Sequence, residues 1–350
     1  MSAWSRITET RAKFLFFPIT IFYWGVIFWR NIFYNFNFFV SRRVPAKIIS
    51  IGNITAGGTG KTPAVIYLSN LLRNSDYKVA VLSRGYGRKT AGTQLVSDGK
   101  NKDIDWRNFG DEPTLIAKKL SNVPVVVDQN RFRGATYIIE KFKPDIIILD
   151  DAFQHRSLER DLDVVLLNSQ APLSDYKLIP HGLLREPLSH LKRADVIIFT
   201  KSNSLKPHRK VLSVAKKTDK PIFYSSVNFT GFSSGDSTVF EPKTNAKAVA
   251  VSAIADPKSF YKSLDDTSLN VIEKISFLDH YEFKQTDIDH FKKVLEETSA
   301  DLIVTTEKDF VRFSGLNLYG LAVCTLNIEF CLDDAGENYI KNFLELNLSD

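Results

Sequence analysis

The chain has 350 residues, with 46 Lys plus Arg against 40 Asp plus Glu and two cysteines, Cys324 and Cys331. That length exceeds the usual single core and calls for two domains, while two cysteines offer no disulfide framework and no CxxC metal spacing, as suits a reducing compartment. The net charge of +6 suits an anionic partner without saying whether that is nucleotide, nucleic acid or lipid headgroup.

Residues 1–42 stand apart from the rest of the chain. Phe14 to Trp29 is uncharged and crowded with Phe, Tyr and Trp, and its surroundings hold Arg6, Arg11, Lys13, Arg30, Arg42, Arg43 and Lys47 against one acid, Glu9. A spanning helix needs about 20 apolar residues. This run is shorter, is interrupted by Pro18 and Gly25, and continues with Asn31, Asn35 and Asn37, which suits a helix lying in the headgroup region. Seven basic residues near an anionic leaflet contribute on the order of 1 kcal/mol each. No small-residue cleavage site follows the apolar run, which argues against a signal peptide. A helix hairpin packed on the protein with no lipid contact reads from the same residues.

Next comes Ile48-Ile49-Ser50-Ile51, an apolar run entering Gly52-Asn53-Ile54-Thr55-Ala56-Gly57-Gly58-Thr59-Gly60-Lys61-Thr62-Pro63. This reads as a phosphate-binding P-loop. Glycines let successive backbone N–H groups point inward, Lys61 reaches the β- and γ-phosphates, and the Thr62 hydroxyl can ligate Mg²⁺. The general pattern asks for glycine where Thr55 stands, and Gly57-Gly58 compensates. An amphipathic segment, Pro63 to Leu72, continues the chain as a helix. The cradle is therefore expected from Thr55, Ala56, Gly57, Gly58, Thr59, Gly60, Lys61 and Thr62.

Further strands are predicted at Lys47–Ile51, Lys78–Leu82, Val123–Val127, Ile146–Leu149, Val164–Leu167 and Val196–Phe199, with helical segments between most of them. The class is α/β, a doubly wound, mainly parallel P-loop sheet over residues 43–228, with its ligand crevice at the strand C-terminal ends. The run Asp145-Ile146-Ile147-Ile148-Leu149-Asp150-Asp151 has the continuous apolar character of a strand covered on both faces. Its terminal carboxylates, Asp150 and Asp151, are where a P-loop enzyme holds Mg²⁺, although two acids at a strand end also read as a turn cap. Residues 229–247 turn polar and are expected as a hinge. Residues 248–350 form a second, smaller α/β domain, with strands Ala248–Val251, Asp301–Thr305 and Leu321–Thr325 and a helix Asp287–Glu297.

Several blocks together resemble the tetraacyldisaccharide 4′-kinases, the lipid A kinases of Gram-negative bacteria. Besides the loop they are Ser83-Arg84-Gly85-Tyr86-Gly87, Gly110-Asp111-Glu112-Pro113, Asp150-Asp151-Ala152-Phe153-Gln154-His155, Leu184-Arg185-Glu186-Pro187, Phe277-Leu278-Asp279-His280-Tyr281 and Thr306-Glu307-Lys308-Asp309. Ala152, where glycine is expected, and His181 ahead of Gly182 depart from that pattern without removing a reacting group. The resemblance implies transfer of the ATP γ-phosphoryl group to the 4′-hydroxyl of a tetraacylated glucosamine disaccharide 1-phosphate, with ATP and Mg²⁺ as cofactors. It also implies a monomer working at the cytoplasmic surface of the inner membrane. It points to Asp111 as the base, oriented by His280, alongside Lys61; Asp111-Glu112-Pro113 reads equally as a helix start. It places base contacts at Thr306, Glu307 and Lys308. Arg131 and Arg133 are candidates for the substrate's 1-phosphate and read equally as a solvated helix start, and Arg185 is a candidate substrate or transition-state charge partner. A membrane-associated P-loop ATPase acting as a nucleotide switch is the alternative, but such proteins carry a lysine where Ala56 stands. No nucleic-acid module is legible.

Overall fold

The computed structural model describes residues 17–36, 38–203, 205–234 and 238–348. Phe14 to Phe16, Arg6, Glu9, Arg11, Lys13 and Asn37 therefore lie outside the described residues.

In chain order the first half comprises α1 (Phe17–Asn35), β1 (Lys47–Asn53), α2 (Lys61–Asn74), β2 (Val79–Ser83), β3 (Gln94–Ser97), α3 (Trp106–Phe109), α4 (Asp111–Lys119), β4 (Val125–Val127), α5 (Arg131–Phe142), β5 (Ile146–Asp150), β6 (Leu162–Asn168), β7 (Val196–Thr200) and α6 (Arg209–Lys216). The second comprises β8 (Ile222–Ser234), β9 (Val239–Phe240), β10 (Lys247–Ser252), α7 (Pro257–Asp265), β11 (Asn270–Ser276), α8 (Gln285–Thr298), β12 (Leu302–Thr306), α9 (Glu307–Val311), β13 (Val323–Leu332) and α10 (Asp334–Leu348).

The strands form one sheet in the order β11-β10-β12-β13-β8-β7-β6-β1-β5-β2-β4-β3, with β9 paired to β8. Every residue of β2, β5 and β7 is buried, because helices cover both faces, and this is why the runs are continuously apolar. β1 lies between β5 and β6, parallel to both, so chain direction across the sheet reverses at β1. Ligands of doubly wound folds bind at such a switch point. The P-loop leaves the end of β1 there, and Ile51 of β1 pairs with Asp150 of β5.

Two boundaries differ from the sequence reading. The segment expected as a hinge is partly strand: β8 pairs with β7 through Ile222–Tyr224 and then antiparallel with β13 through Ser225–Ser234. Its alternating polar residues conceal it because much of this strand is only half-buried. The C-terminal helix also crosses over. Phe330, Leu332, Ile340 and Leu344 are buried in the same core as Ile49, Val65 and Leu68, and Tyr67 donates to Glu337 at 2.6 Å. The last strand and helix therefore complete the first half's core. Leu344→Ala is expected to destabilise the protein by about 2–5 kcal/mol in chemical denaturation; a loss under about 0.5 kcal/mol would mean that α10 is not part of that core.

Candidate functional site

One cavity of about 1170 Å³ opens at the switch point, reaching from α1 past the P-loop to the second half. Gly57 (φ +106°) and Gly60 (φ +82°) take left-handed conformations that suit glycine, with open space around both. Asn53 braces the loop from within by donating to Thr59 Oγ1 at 2.8 Å, and Thr200 donates to Thr59 O at 3.0 Å. α2 starts at Lys61 with no side-chain cap, which leaves its first amides available to an anion. Gly57 through Thr62 line the cavity. Thr55 and Ala56 do not: Thr55 forms a bridge to Leu184, and the Ala56 amide donates to Leu183 O at 2.7 Å. The amide expected in the cradle is used to anchor it.

Beside the loop, the two adjacent acids have different surroundings. Asp150 is 1% exposed; Oδ2 accepts from Ser83 at 2.9 Å, while Oδ1 is buried with no partner. Burial, then the nearby Glu112 and Asp151 carboxylates, push its pKa up to about 7. Asp151 (φ +48°) accepts from Arg185 Nη1 at 2.9 Å on both oxygens and lies 3.7 Å from Lys61 Nζ. Burial opposes its ionisation, but the Lys61 and Arg185 charges hold its carboxyl below the usual range. An unpartnered buried carboxylate oxygen, in a cavity that a threonine also lines, fits a hard divalent cation, which takes oxygen ligands. Asp150 Oδ1 and Thr62 are the residues that fit Mg²⁺, with Asp151 already occupied by its cations.

The structure brings only one of the three candidate arginines to the cavity. Arg131 is 1% exposed and donates to Asp128 O at 2.7 Å and Asp150 O at 2.9 Å, so it holds the backbone of the acid strand and has no route to a substrate. Burial lowers its pKa to about 10. Arg133 is paired through Nε and Nη2 with Asp128, both at 2.8 Å, outside the cavity wall. Arg185 lines the cavity with its charge committed to Asp151.

Asp111 opens α4 after Gly110, whose φ of +94° and tight approach to Tyr86 O leave no room for a side chain. Asp111 is 4% exposed; Oδ1 accepts from the Glu112 amide at 2.8 Å and Oδ2 lies 2.9 Å from His280 Nδ1. Burial raises its pKa, but the His280 hydrogen bond and the Lys308 and Arg312 charges outweigh that and bring it to about 2. His280 itself lines the cavity, and Asp111 stands behind it. Thr306, Glu307 and Lys308 also line it; Lys308 Nζ lies 2.9 Å from Glu112 Oε1, and Glu307 is paired with Lys119. Asp111 and His280 are thus already in contact across the two halves.

Several wall residues escape the sequence reading. Arg84 and His155 sit inside two of the motif blocks, so adjacency was the available signal; burial, then the Arg131 and Arg84 charges, lowers the His155 pKa to about 4, leaving it neutral. Arg30 of α1 reads in the sequence only as one of the basic residues beside the aromatic run, yet it lines the cavity. It pairs at 2.9 Å with Glu186, a fully buried acid that also takes His190 at 2.7 Å and Arg193 at 2.9 Å. Those partners are brought together only by the fold. Thr20 lies 2.7 Å from His181 and Tyr23 donates to Arg185 O at 3.0 Å, so α1 is docked onto the segment that anchors the P-loop.

The family described as tetraacyldisaccharide-1-P 4′-kinase matches the chain over residues 12–345. The tetraacyldisaccharide 4′-kinase of Halothermothrix orenii is 37% identical over 328 residues, covering 85% of each chain. That of Aquifex aeolicus is 36% identical over 307 residues, 87% of this chain and 91% of its own. The crystal structure of LpxK from Aquifex aeolicus in complex with ATP superposes with a TM-score of 0.76 at 33% identity, covering 94% of this chain and 98% of that one.

Asp150→Asn provides a signed test of the acid site. A carboxyl whose folded pKa lies above its unfolded value costs stability at pH values above both, so the variant is expected to melt no lower than wild type at alkaline pH. It should nevertheless lose Mg²⁺-dependent ATP turnover by at least about 100-fold. A markedly lower melting temperature, or retained turnover, would contradict the assignment.

Proposed function

The chain belongs to the tetraacyldisaccharide-1-P 4′-kinase family, and from that membership we propose how its own residues divide the work. It is an ATP-dependent lipid kinase that transfers the γ-phosphoryl group to the 4′-hydroxyl of a tetraacylated glucosamine disaccharide 1-phosphate, a precursor of lipid A. The observation that carries the division of labour is the single cavity that runs from the P-loop to α1 and has His280 on its wall.

Phosphoryl transfer is mainly positioning and charge neutralisation. Gly57–Gly60 and the first α2 amides hold the phosphates, and Lys61 reaches them once its distant contact with Asp151 is exchanged for a nearer anion. Thr62 and Asp150 would hold Mg²⁺, which would supply charge neutralisation at the phosphates. Arg185 keeps Asp151 in place and adds positive charge beside the transferring group. Asp111 and His280 act as one proton acceptor joined at Asp111 Oδ2, the imidazole fronting the cavity and the carboxylate behind it. Thr306, Glu307 and Lys308 close the nucleotide side from the second half, so ATP bridges the two halves.

The acceptor remains in a bilayer, and α1 is the part suited to meet it. No helix among the described residues is long and apolar enough to cross a membrane. In this 19-residue helix only Ile27 and Asn31 are buried, while Phe22, Trp24, Phe28 and Trp29 are exposed. Arg30 is held to the protein by Glu186, which ties the helix along its length. This supports a helix lying in the headgroup layer with Tyr23, Ile27 and Arg30 on the cavity side. Because ATP is the donor, that surface is the cytoplasmic face of the inner membrane. A monomer suffices, since one chain supplies every group named.

Radiolabelled ATP with tetraacyldisaccharide 1-phosphate in detergent micelles tests the reading. Label is expected in the lipid from wild type, at least about 100-fold less from Asp111→Ala, and none after chelation of Mg²⁺. ATP hydrolysis with no labelled lipid would overturn it. For the membrane part, Phe22→Glu with Trp29→Glu should abolish co-sedimentation with anionic vesicles and leave the folded far-UV spectrum intact; unchanged sedimentation would remove α1 as the anchor.

A further inference from the structure

One fully buried cation has no part in phosphate, metal or acceptor binding. Arg312 lies just after α9 and is 0% exposed. Its Nη1 donates to Tyr281 O at 3.0 Å, and Nη2 donates to Ala253 O at 3.1 Å and to Asp309 Oδ1 at 2.8 Å. Asp309 in turn accepts from the Ala253 amide at 3.0 Å and from Thr306 Oγ1 at 2.8 Å. These contacts tie the end of β10, the start of α9 and the turn carrying His280 into one frame. His280 has φ +59°, a conformation that residues with side chains seldom adopt, and Arg312 holds the carbonyl of the very next residue.

The remaining donor looks across to the other half. Arg312 Nε lies 3.3 Å from Asp111 Oδ2 and is a buried donor with no hydrogen bond of its own. Burying a guanidinium is costly, and one that spends its donors on the neighbours of a reacting pair suggests a purpose beyond packing. Asp111 is also faced by His280 from the turn after β11, by Lys308 from α9 and by the Glu112 amide on its own helix, while Asp279 faces His280 and Lys308. Lys308 divides its charge among Glu112 at 2.9 Å, Asp279 at 3.8 Å and Asp111 at 3.9 Å, and an imidazole loses its charge as pH rises. Arg312 is the neighbour that combines a permanent charge with complete burial.

We propose that Arg312 is the positioning residue of the Asp111–His280 pair, holding the His280 turn and the Asp111 carboxylate in one frame and setting the pH range in which the pair can accept a proton. This rests on the pair being the proton acceptor. Removing a fixed cation raises the proton affinity of both members, so the acid limb of kcat, which belongs to the pair as a unit, moves to higher pH.

The experiment uses the full chain with Arg312→Gln, Arg312→Lys and Asp111→Asn, measuring label transfer to the micellar lipid against pH, the KM for ATP, and the melting temperature. Arg312→Gln is expected to lower kcat by about 10–100-fold and to move the acid limb up by about one pH unit, with the KM for ATP changed less than about threefold. Arg312→Lys keeps the charge and loses the fork, so its limb should stay near wild type while kcat falls by about tenfold. A loss of kcat in Arg312→Gln with an unmoved limb, or with the KM for ATP rising in parallel, would overturn the proposal. If Arg312→Gln does not fold, Arg312→Lys decides alone, since wild-type kcat in that variant also overturns it. Asp111→Asn separates the two readings: wild-type transfer there removes the pair as acceptor, whereas an inactive Asp111→Asn beside an unshifted Arg312→Gln removes only the role of Arg312.

Discussion

The pairing of β1 with β5 is the constraint on which the site depends. Both strands are buried on both faces, and their parallel register sets Ile51 beside Asp150. A glycine-rich loop leaving one strand and an acid pair leaving its neighbour must then meet at the same edge of the sheet, so the proposed phosphate cradle and cation ligands adjoin. The consequences extend outward. Asp151 turns through a positive φ to meet Lys61 and Arg185, and Arg185 sits where its own amide donates to Ile54 O at 2.8 Å, so the loop, the acids and the cations brace each other.

Much of this was legible from residues whose chemistry and spacing admit few readings. Continuous apolar runs revealed the parallel strands because no other element covered on both faces is so short and uninterrupted. Glycine, lysine and threonine at the head of α2 pointed to the loop that lines the cavity. The illegible parts were those where an element's surroundings, and not its own pattern, decide its state. β11 is mostly exposed at the end of the sheet and shows little apolar signal. β8 borrows its order from two partners and looks like linker by itself. Thr55 and Ala56 fit a cradle by position, yet the backbone of residues 183–185 claims them. Arg131 and Arg185 are alike in sequence, and only burial tells that one supports a strand while the other meets the cavity.

Polar contacts do a different job from apolar ones here. The apolar cores mostly hold each half together; near the site the halves meet through one small apolar cluster, Trp106 and Leu115 with Val311, and through ion pairs: Lys119 with Glu307, Lys308 with Glu112, Arg312 with Asp111, and Arg107 with Glu282. Charged contacts can exchange partners with water or phosphate at modest cost, while apolar packing cannot separate without exposing surface. The α1 helix repeats this division. Arg30 and Asn31 fasten it to the protein through Glu186, Arg156 and Arg193, and Phe22, Trp24, Phe28 and Trp29 are left outward.

The strand β8 gives this arrangement its mechanics. A loop between two halves acts as a free swivel, whereas β8 is a ribbon hydrogen-bonded to β7 at one end and to β13 along the rest. Any parting of the halves loads this ribbon, whose ladder is interrupted where the register slips between Asn327 and Ile328, opposite Gly231 at φ +129°. Backbone hydrogen bonds of one shared strand therefore sew the two halves into a single sheet, so a change in their relative placement is resisted by the ladder itself as well as by the side chains around the phosphates.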